Sequence, residues 1–308
     1  MPEPTILVHG GAGTLPRDRL TPEKRAAILT GLKRALQAGQ SVLTNNGSAL
    51  DAVTAAVTAL EDDPNFNAGR GAVFTSGETH EMDAAVMDGA TLRIGAIAGV
   101  LGPRNPVQAA RFVMERSPHV FLAGPRALEF LQAHGVPLEP ASYFSTEDRR
   151  AALEEWRRSH GQNADDFNRH GTVGAVALDA AGNLAAATST GGMTGKLPSR
   201  LGDTPVPGAG TWADQNCAMS ATGHGESFIR VAAAHELAAR VRLAQQDLET
   251  AAAAVMAAVE QIGGDGGFIA LDRHGNVVLP FNSRGMYRGQ ATGNGQPRVA
   301  IYRETPAP

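Results

Sequence analysis

The chain has little of several things, and each shortage removes a class of function. Only one of its 308 residues is cysteine, Cys217, so no disulfide can close within the chain, which fits a reducing compartment. Lys and Arg number 27 against 31 Asp and Glu, a net charge of −4, and no run of five basic residues offers a surface to track phosphates. Nucleic acid is therefore not an expected partner. No stretch reaches the ~18 apolar residues of a membrane span, and the opening MPEPTILVHGG lacks a basic region followed by a sustained apolar one. The expectation is a soluble, cytoplasmic protein with no membrane contact.

Several catalytic motifs are also missing. His80-Glu81 and His235-Glu236 each begin a zinc-helix pattern, but Ala84 and Ala239 stand where the second histidine belongs, so no metal site is expected there. No serine is flanked by glycines two residues away on both sides, which removes the nucleophile elbow. The pairs Gly11/Gly13, Gly69/Gly71, Gly208/Gly210 and Gly223/Gly225 never reach the third glycine of a dinucleotide loop. GGMTGKL at 191–197 has a glycine and a lysine, but Leu197 stands where a phosphate loop needs Ser or Thr.

What is present is ordinary globular composition, 43% hydrophobic and 19% charged, enough for a substantial core. Ile6 to Val8 read as a buried strand running into the glycine-rich HGGAG of residues 9–13. Helical spacing predicts a helix over 22–46 behind Thr21 and Pro22, and a second over SALDAVTAAVTALEDD that Pro64 stops. Residues 82–89 and 91–102 predict a hairpin, and 105–116 and 124–134 short helices. From about 139 to 171 charges cluster and apolar residues thin, which predicts a solvated helix and a loose connector. Strand texture returns at Val173–Leu178 and Leu184–Thr188, with more strand expected at 206–210 and 217–222. Helices over 225–243 and 246–260 then precede a hairpin of GGFIALD with NVVLPFN. Hairpins covered by helix pairs predict an α/β architecture with the sheets inside.

Thr172, at the head of a strand with no charged neighbour to assist it, has two readings. Threonine is a good strand former. Alternatively, the Gly171–Thr172 bond is cut and Thr172 becomes a chain end whose α-amine, with an ordinary pKa of about 7.7–8.0, serves as base for its own hydroxyl. Cleavage could use the same hydroxyl: attack on the Gly171 carbonyl would give an ester that water opens. Glycine at 171 tolerates the strain and leaves the approach clear.

The wider sequence favours the second reading. HGTVGAVALD (170–179), AAATSTGGMTGKLPSRLGD (185–203), GAGTWAD (208–214) and ATGHGESFIR (221–230) resemble the plant-type asparaginase and isoaspartyl peptidase family of N-terminal-nucleophile hydrolases. HGGAG, FNAGRGAVFTSGETHEMDAAVMDG (66–89) and LPFNSRGMYRG (279–289) extend the resemblance over nearly the whole chain, in order. It implies a four-layer αββα sandwich, one domain over 1–308, self-cleaved between Gly171 and Thr172 into an α chain of 1–171 and a β chain of 172–308. Implied partners are a small-molecule substrate and a second αβ unit, giving (αβ)2. No cofactor is required, although some members hold a monovalent cation such as Na+ in a loop corresponding to residues 60–67.

Residue by residue, the resemblance makes Thr172 the nucleophile and Thr190 its supporting hydroxyl. It makes Thr222 and the Gly223 amide the oxyanion hole, and Asn67 the asparagine facing the nucleophile. Arg200 and Asp203 become the holders of the substrate's α-carboxylate and α-ammonium, with Gly202, His224 and Gly225 also at the substrate. A guanidinium fork binding a carboxylate, with an acid nearby for the ammonium, agrees with that chemistry. The implied reaction is hydrolysis of the asparagine side-chain amide and of β-aspartyl dipeptides. His224 departs from a pattern that often has threonine there, which leaves the leaving-group size open. GAGTWAD and ATGHGE also resemble glycosylasparaginase, a sister family, and ILVHGGAG resembles the glycine-rich loops of amino-acid kinases.

Overall fold

A computed structural model describes residues 3–13, 20–159 and 171–304. Its strands, in chain order, are β1 (Thr5–Gly13), β2 (Met82–Asp88), β3 (Arg93–Val100), β4 (Phe121–Ala123), β5 (Val173–Leu178), β6 (Leu184–Thr190), β7 (Thr211–Ala213), β8 (Cys217–Gly223), β9 (Gly266–Asp272), β10 (Val277–Val278), β11 (Gly285–Thr292) and β12 (Arg298–Ala300). The helices are α1 (Pro22–Thr44), α2 (Ala49–Glu61), α3 (Pro106–Arg116), α4 (Pro125–Ala133), α5 (Ala141–Phe144), α6 (Glu147–Arg158), α7 (Gly225–Arg230), α8 (Ala233–Arg242) and α9 (Leu248–Gln261).

The strands form an eight-stranded sheet of order β12-β11-β1-β5-β6-β2-β3-β4 and a four-stranded sheet of order β10-β9-β8-β7. Helices α1 to α3 cover the outer face of the large sheet, α8 and α9 cover the small one, and the sheets face each other through β1, β5 and β6 against β8 and β9. This is the αββα sandwich that the resemblance implies. Strands from before and after residue 171 are interleaved: β1 pairs antiparallel with both β11 and β5, and β2 with β6.

Period-two alternation explains why the layers stack. Ile6 and Val8 of β1, with Ala175 and Ala177 of β5, enter the core beneath α1 and α2. Their neighbours Leu7, Val176 and Leu178 face inward and meet Ala218, Ile269 and Leu271 between the sheets. Cys217, Met219 and Ala221 of β8 join Phe268 and Ala270 in a third layer against α8 and α9. Burying each large side chain in such a layer contributes about 1.5–3 kcal/mol. Lone Cys217 is packing material here: it is fully buried, and that burial raises its thiol pKa.

Local chemistry sets the element ends. Thr21 Oγ1 accepts from Lys24 N at the start of α1, and Ser48 Oγ accepts from Asp51 N at the start of α2. Helix α1 stops at Thr44, short of the expected 46, because Asn46 turns to φ 59. The strand expected at 206–210 is a turn, in which the Asp203 carbonyl accepts from both Val206 N and Gly210 N. The helix expected over 225–243 breaks at Ala232, φ 48, where the turn carbonyls of Gly208 and Ala209 take the first N–H groups of α8. The charged stretch after 139 holds α5 and α6, and the connector expected beyond it falls at 160–170, outside the described residues.

Candidate active site

The layer between the sheets is apolar along most of its length and turns polar at one end. Following the inward-facing positions, β5 runs Leu178, Val176, Gly174 and then Thr172; β6 runs Ala186, Thr188, Thr190; β8 runs Ala218, Ser220, Thr222; β1 runs Leu7, His9. One alternation therefore builds the core and delivers a cluster of hydroxyls to a single place. Thr172, Thr188, Thr190, Ser220, Thr222 and His9 are all buried.

The Gly171 carbonyl accepts from Asn67 Nδ2 at 2.7 Å and from Thr190 Oγ1 at 2.9 Å. Both polar atoms of Asn67 are engaged, since Nδ2 also donates to the Gly192 carbonyl at 2.6 Å while Oδ1 accepts from Val73 N at 2.9 Å. Two carbonyls on one side of the amide and an N–H on the other fix its orientation. Thr190 Oγ1 also accepts from Gly192 N at 2.9 Å and from Thr172 Oγ1 at 3.2 Å, so its single proton goes to Gly171. The arrangement polarises one particular peptide carbonyl and holds the following residue's hydroxyl beside it. Gly11, at φ +119, makes room for it: a Cβ there would come within 3.0 Å of Gly171 Cα.

Beyond Thr172 lies a cleft whose wall includes Thr190, Gly192, Arg200, Asp203, Gly223 and Gly225, with Gly202 beside Arg200. Arg200 and Asp203 both reach it, but they are not each other's partners. Arg200 donates Nε to Glu226 Oε1 at 2.9 Å and Nη2 to Glu226 Oε2 at 2.7 Å. Nη1 is turned toward Gly202, where an added Cβ would sit 3.1 Å from it. Asp203 is buried with Oδ2 unpartnered, and that burial raises its pKa to about 7, against the lowering effect of a backbone hydrogen bond and of Arg200. A buried carboxylate left half satisfied suits a cationic group arriving from outside.

Asn67, Thr222 and His224 are not part of that wall. Thr222 Oγ1 accepts from Ala12 N at 3.0 Å, tying β8 to the glycine-rich end of β1, and the Gly223 backbone follows at φ +145. His224 stands at the N-terminus of α7 with Nε2 3.3 Å from Glu226 Oε2. Lys196, the lysine of GGMTGKL, is buried and donates to the Glu81 carbonyl at 2.8 Å, 4.0 Å from Asp83 Oδ2. Desolvation lowers the lysine's pKa and raises the aspartate's, so this lysine serves the interior rather than a phosphate.

Sequence reasoning passed over Glu226 and His9. Glu226 lies inside the ATGHGESFIR motif three residues past Gly223, and an arginine needing a partner was the signal available. His9 precedes glycines that drew the attention; its neighbours Ser220 and Thr188 are distant in sequence. Among the described residues no group of three or more His, Cys, Asp or Glu is arranged to hold a metal ion, and no helix is long and apolar enough to cross a membrane.

Residues 2–301 match the family model described as asparaginase. The chain is 48% identical to the isoaspartyl peptidase of Escherichia coli, covering 99% of this chain and 98% of that protein. It is 48% identical to the isoaspartyl peptidase of Salmonella typhimurium, over 99% and 100%. The isoaspartyl peptidase/L-asparaginase of Homo sapiens is 41% identical over 92% and 91%. With a family match over nearly its whole length and relatives this similar from end to end, the chain belongs to the asparaginase family.

Proposed function

We propose that the chain is an autoprocessed amidohydrolase that uses Thr172 as nucleophile to convert L-asparagine to L-aspartate and ammonia and to hydrolyse β-aspartyl dipeptides. The observation that carries the reading is the Gly171 carbonyl, gripped by Asn67 and Thr190, with the Thr172 hydroxyl held by the same Thr190. In self-cleavage, Thr172 Oγ1 attacks the Gly171 carbonyl carbon, and its proton passes through the Thr190 hydroxyl to the carbonyl oxygen. Collapse breaks the Gly171–Thr172 C–N bond, the nitrogen takes the proton, and water opens the remaining ester. The products are residues 1–171 and 172–308.

The freed amine of Thr172 then acts on its own hydroxyl, which removes most of the entropic cost of bringing a base to a nucleophile. Arg200 takes the substrate's α-carboxylate and Asp203 its α-ammonium. The β-carbonyl faces Thr172, with Thr222 and the Gly223 amide receiving the oxyanion. Glu226 holds the guanidinium in a fixed plane. Asparagine and a β-aspartyl dipeptide present the same α-amino-acid end, so one pocket serves both leaving groups. The names of the relatives favour this reading over glycosylasparaginase. Burial of Lys196 in an internal contact argues against nucleotide binding at GGMTGKL.

A monovalent cation would suit the turn after α2. That turn is rich in backbone carbonyls: the Glu61 carbonyl lies against the space a Cβ on Gly69 would fill, and those of Pro64 and Phe66 against that of Gly71, and carbonyl oxygens suit such a cation. The cation would stiffen the loop that carries Asn67 and take no part in the chemistry. The working unit would be a pair of αβ units in the cytoplasm.

The test is mass analysis of freshly purified and incubated protein, followed by assays on β-aspartyl dipeptide, free asparagine, asparagine within a peptide, and glycosylated asparagine. Two fragments, the smaller starting at Thr172, and turnover of the first two substrates are expected. An intact chain after prolonged incubation, or faster turnover of glycosylated asparagine, would argue against the proposal.

A pH dependence follows. Asp203 has its pKa raised to about 7 in the free protein and must be ionised to meet the ammonium, so substrate binding below pH 7 releases a proton. KM should be flat above that value and rise up to about tenfold per pH unit below it. kcat, read with substrate bound, should follow the Thr172 amine alone, so kcat/KM falls more steeply on the acid side than kcat. Parallel acid limbs would contradict this assignment of Asp203.

A further inference from the structure

His9 is wholly buried and does not itself line the cleft, yet it bonds directly to Thr172, which does. Its Nδ1 lies 2.9 Å from the Thr172 carbonyl oxygen and its Nε2 2.8 Å from Ser220 Oγ. A carbonyl oxygen can only accept, so Nδ1 carries a proton. Burial lowers the pKa of His9 to about 3, against the raising effect of that hydrogen bond, so the ring holds one proton at neutral pH and Nε2 must accept. Ser220 therefore donates to His9, and its oxygen is left to accept from Thr188 at 2.7 Å. Thr188 in turn accepts from Thr211 at 2.6 Å. Starting from one carbonyl, the protons of His9, Ser220 and Thr188 all point toward Thr172, and Thr211 at the far end shares its proton between Thr188 and the Thr204 carbonyl at 3.0 Å.

Two further observations indicate a built arrangement. The β1–β5 ladder ends at the pair His9 and Gly174, and Thr172 lies beyond it. A side chain, that of His9, meets the Thr172 carbonyl where this ladder has run out, and on its other edge β1 shifts register against β11 between His9 and Gly11. Gly174 provides the space: a Cβ on it would collide with both Ser220 Oγ and His9 Nε2.

We propose that His9 is a positioning residue for the nucleophile: as a neutral, Nδ1-protonated imidazole it pins Thr172 by its carbonyl, and Ser220, Thr188 and Thr211 lock that tautomer from behind. The proposal rests on the reading of Thr172 as nucleophile. Once cut, Thr172 is tethered on one side only. Its amine and hydroxyl then keep their directions because its carbonyl is held by His9 and its hydroxyl by Thr190.

Two measurements test it. The first uses the full-length Thr172→Ala chain, which keeps the carbonyl and cannot cut itself. Nitrogen-15 NMR of labelled histidine at pH 7, with the His9 signal assigned by its loss in His9→Asn, should find a neutral ring protonated at Nδ1. A ring protonated at Nε2, or an imidazolium, overturns the proposal, and this readout does not depend on what Thr172 does in catalysis.

The second uses the processed enzyme and β-aspartyl dipeptide. His9→Asn places an amide N–H where Nδ1–H stood and should keep kcat within about threefold, whereas His9→Leu should lower kcat about tenfold or more. In both, KM should stay within about twofold because Arg200 and Asp203, which hold the substrate, are unchanged. Equal losses in the two variants, or a change confined to KM, would overturn it. Activity surviving in Thr172→Ala would instead sink the nucleophile assignment, a separate failure.

Discussion

Thr172→Ala is expected to leave the chain at its full 308 residues and to lower β-aspartyl dipeptide hydrolysis by ~10,000-fold or more. The substitution removes the attacking oxygen for both reactions while leaving the Gly171 carbonyl bonded to Asn67 and Thr190. Fold and stability should barely change, because Thr172 precedes β5 and gives up one hydroxyl contact at 3.2 Å. Thr172→Ser keeps an oxygen and should retain part of both activities. The measurements are intact mass over several days and single-turnover assays; normal cleavage in the alanine variant would refute the assignment. A peptide bond that is held but never attacked would make this variant suitable for crystallising the precursor.

Arg200→Ala is expected to lower kcat/KM for free asparagine and β-aspartyl dipeptides about 30-fold to 1000-fold, while self-cleavage proceeds at its usual rate. The size follows from leaving the substrate carboxylate without its charge-assisted partner, about 2–4 kcal/mol. The separation of the two activities follows from geometry: the Gly171 carbonyl is held by Asn67 and Thr190, and Arg200 has no part in that contact. Glu226→Gln keeps the guanidinium but weakens the plane that orients it, so its loss should be smaller, about tenfold or less. Measured side by side, the two variants separate holding a carboxylate from aiming the fork. A loss of self-cleavage in Arg200→Ala would show that the clamp also shapes the precursor.

Much of this was legible in the sequence because it rests on local pattern. The period-two alternation of VGAVAL and LAAATST places Thr172 and Thr190 on one face, and the same rule brings Thr222 there from β8. Motif resemblance pointed to Asn67, Arg200 and Asp203, all of which gather within one end of the sandwich. What stayed hidden depends on contacts far apart in the chain. Glu226 as the partner of Arg200 spans 26 residues, and His9 with Ser220 spans 211. Strand β11, GMYRGQAT, escaped because its central glycine and arginine blur the pattern; Arg288 is buried, with Nη2 donating to the Glu304 carbonyl at 2.8 Å. The break at Ala232 was equally unreadable, since the groups that cap α8 come from the turn at 208–209.

The interleaving of the large sheet has a consequence for the life of the molecule. Strand β1, from before residue 171, is hydrogen-bonded on both sides to strands from after it, and β2 and β6 make a third seam. A cut at Gly171–Thr172 leaves two polypeptides that cannot part without opening all three. It also turns unfolding from a one-body event into a two-body one. The thermal midpoint of mature protein should then rise more steeply with protein concentration than that of Thr172→Ala, whose units each remain a single thread. Refolding would require two chains to find each other and rebuild a sheet that neither can complete alone. Maturation would therefore act as a ratchet: the chain folds once as a single thread, and after the cut its persistence depends on how slowly those seams open.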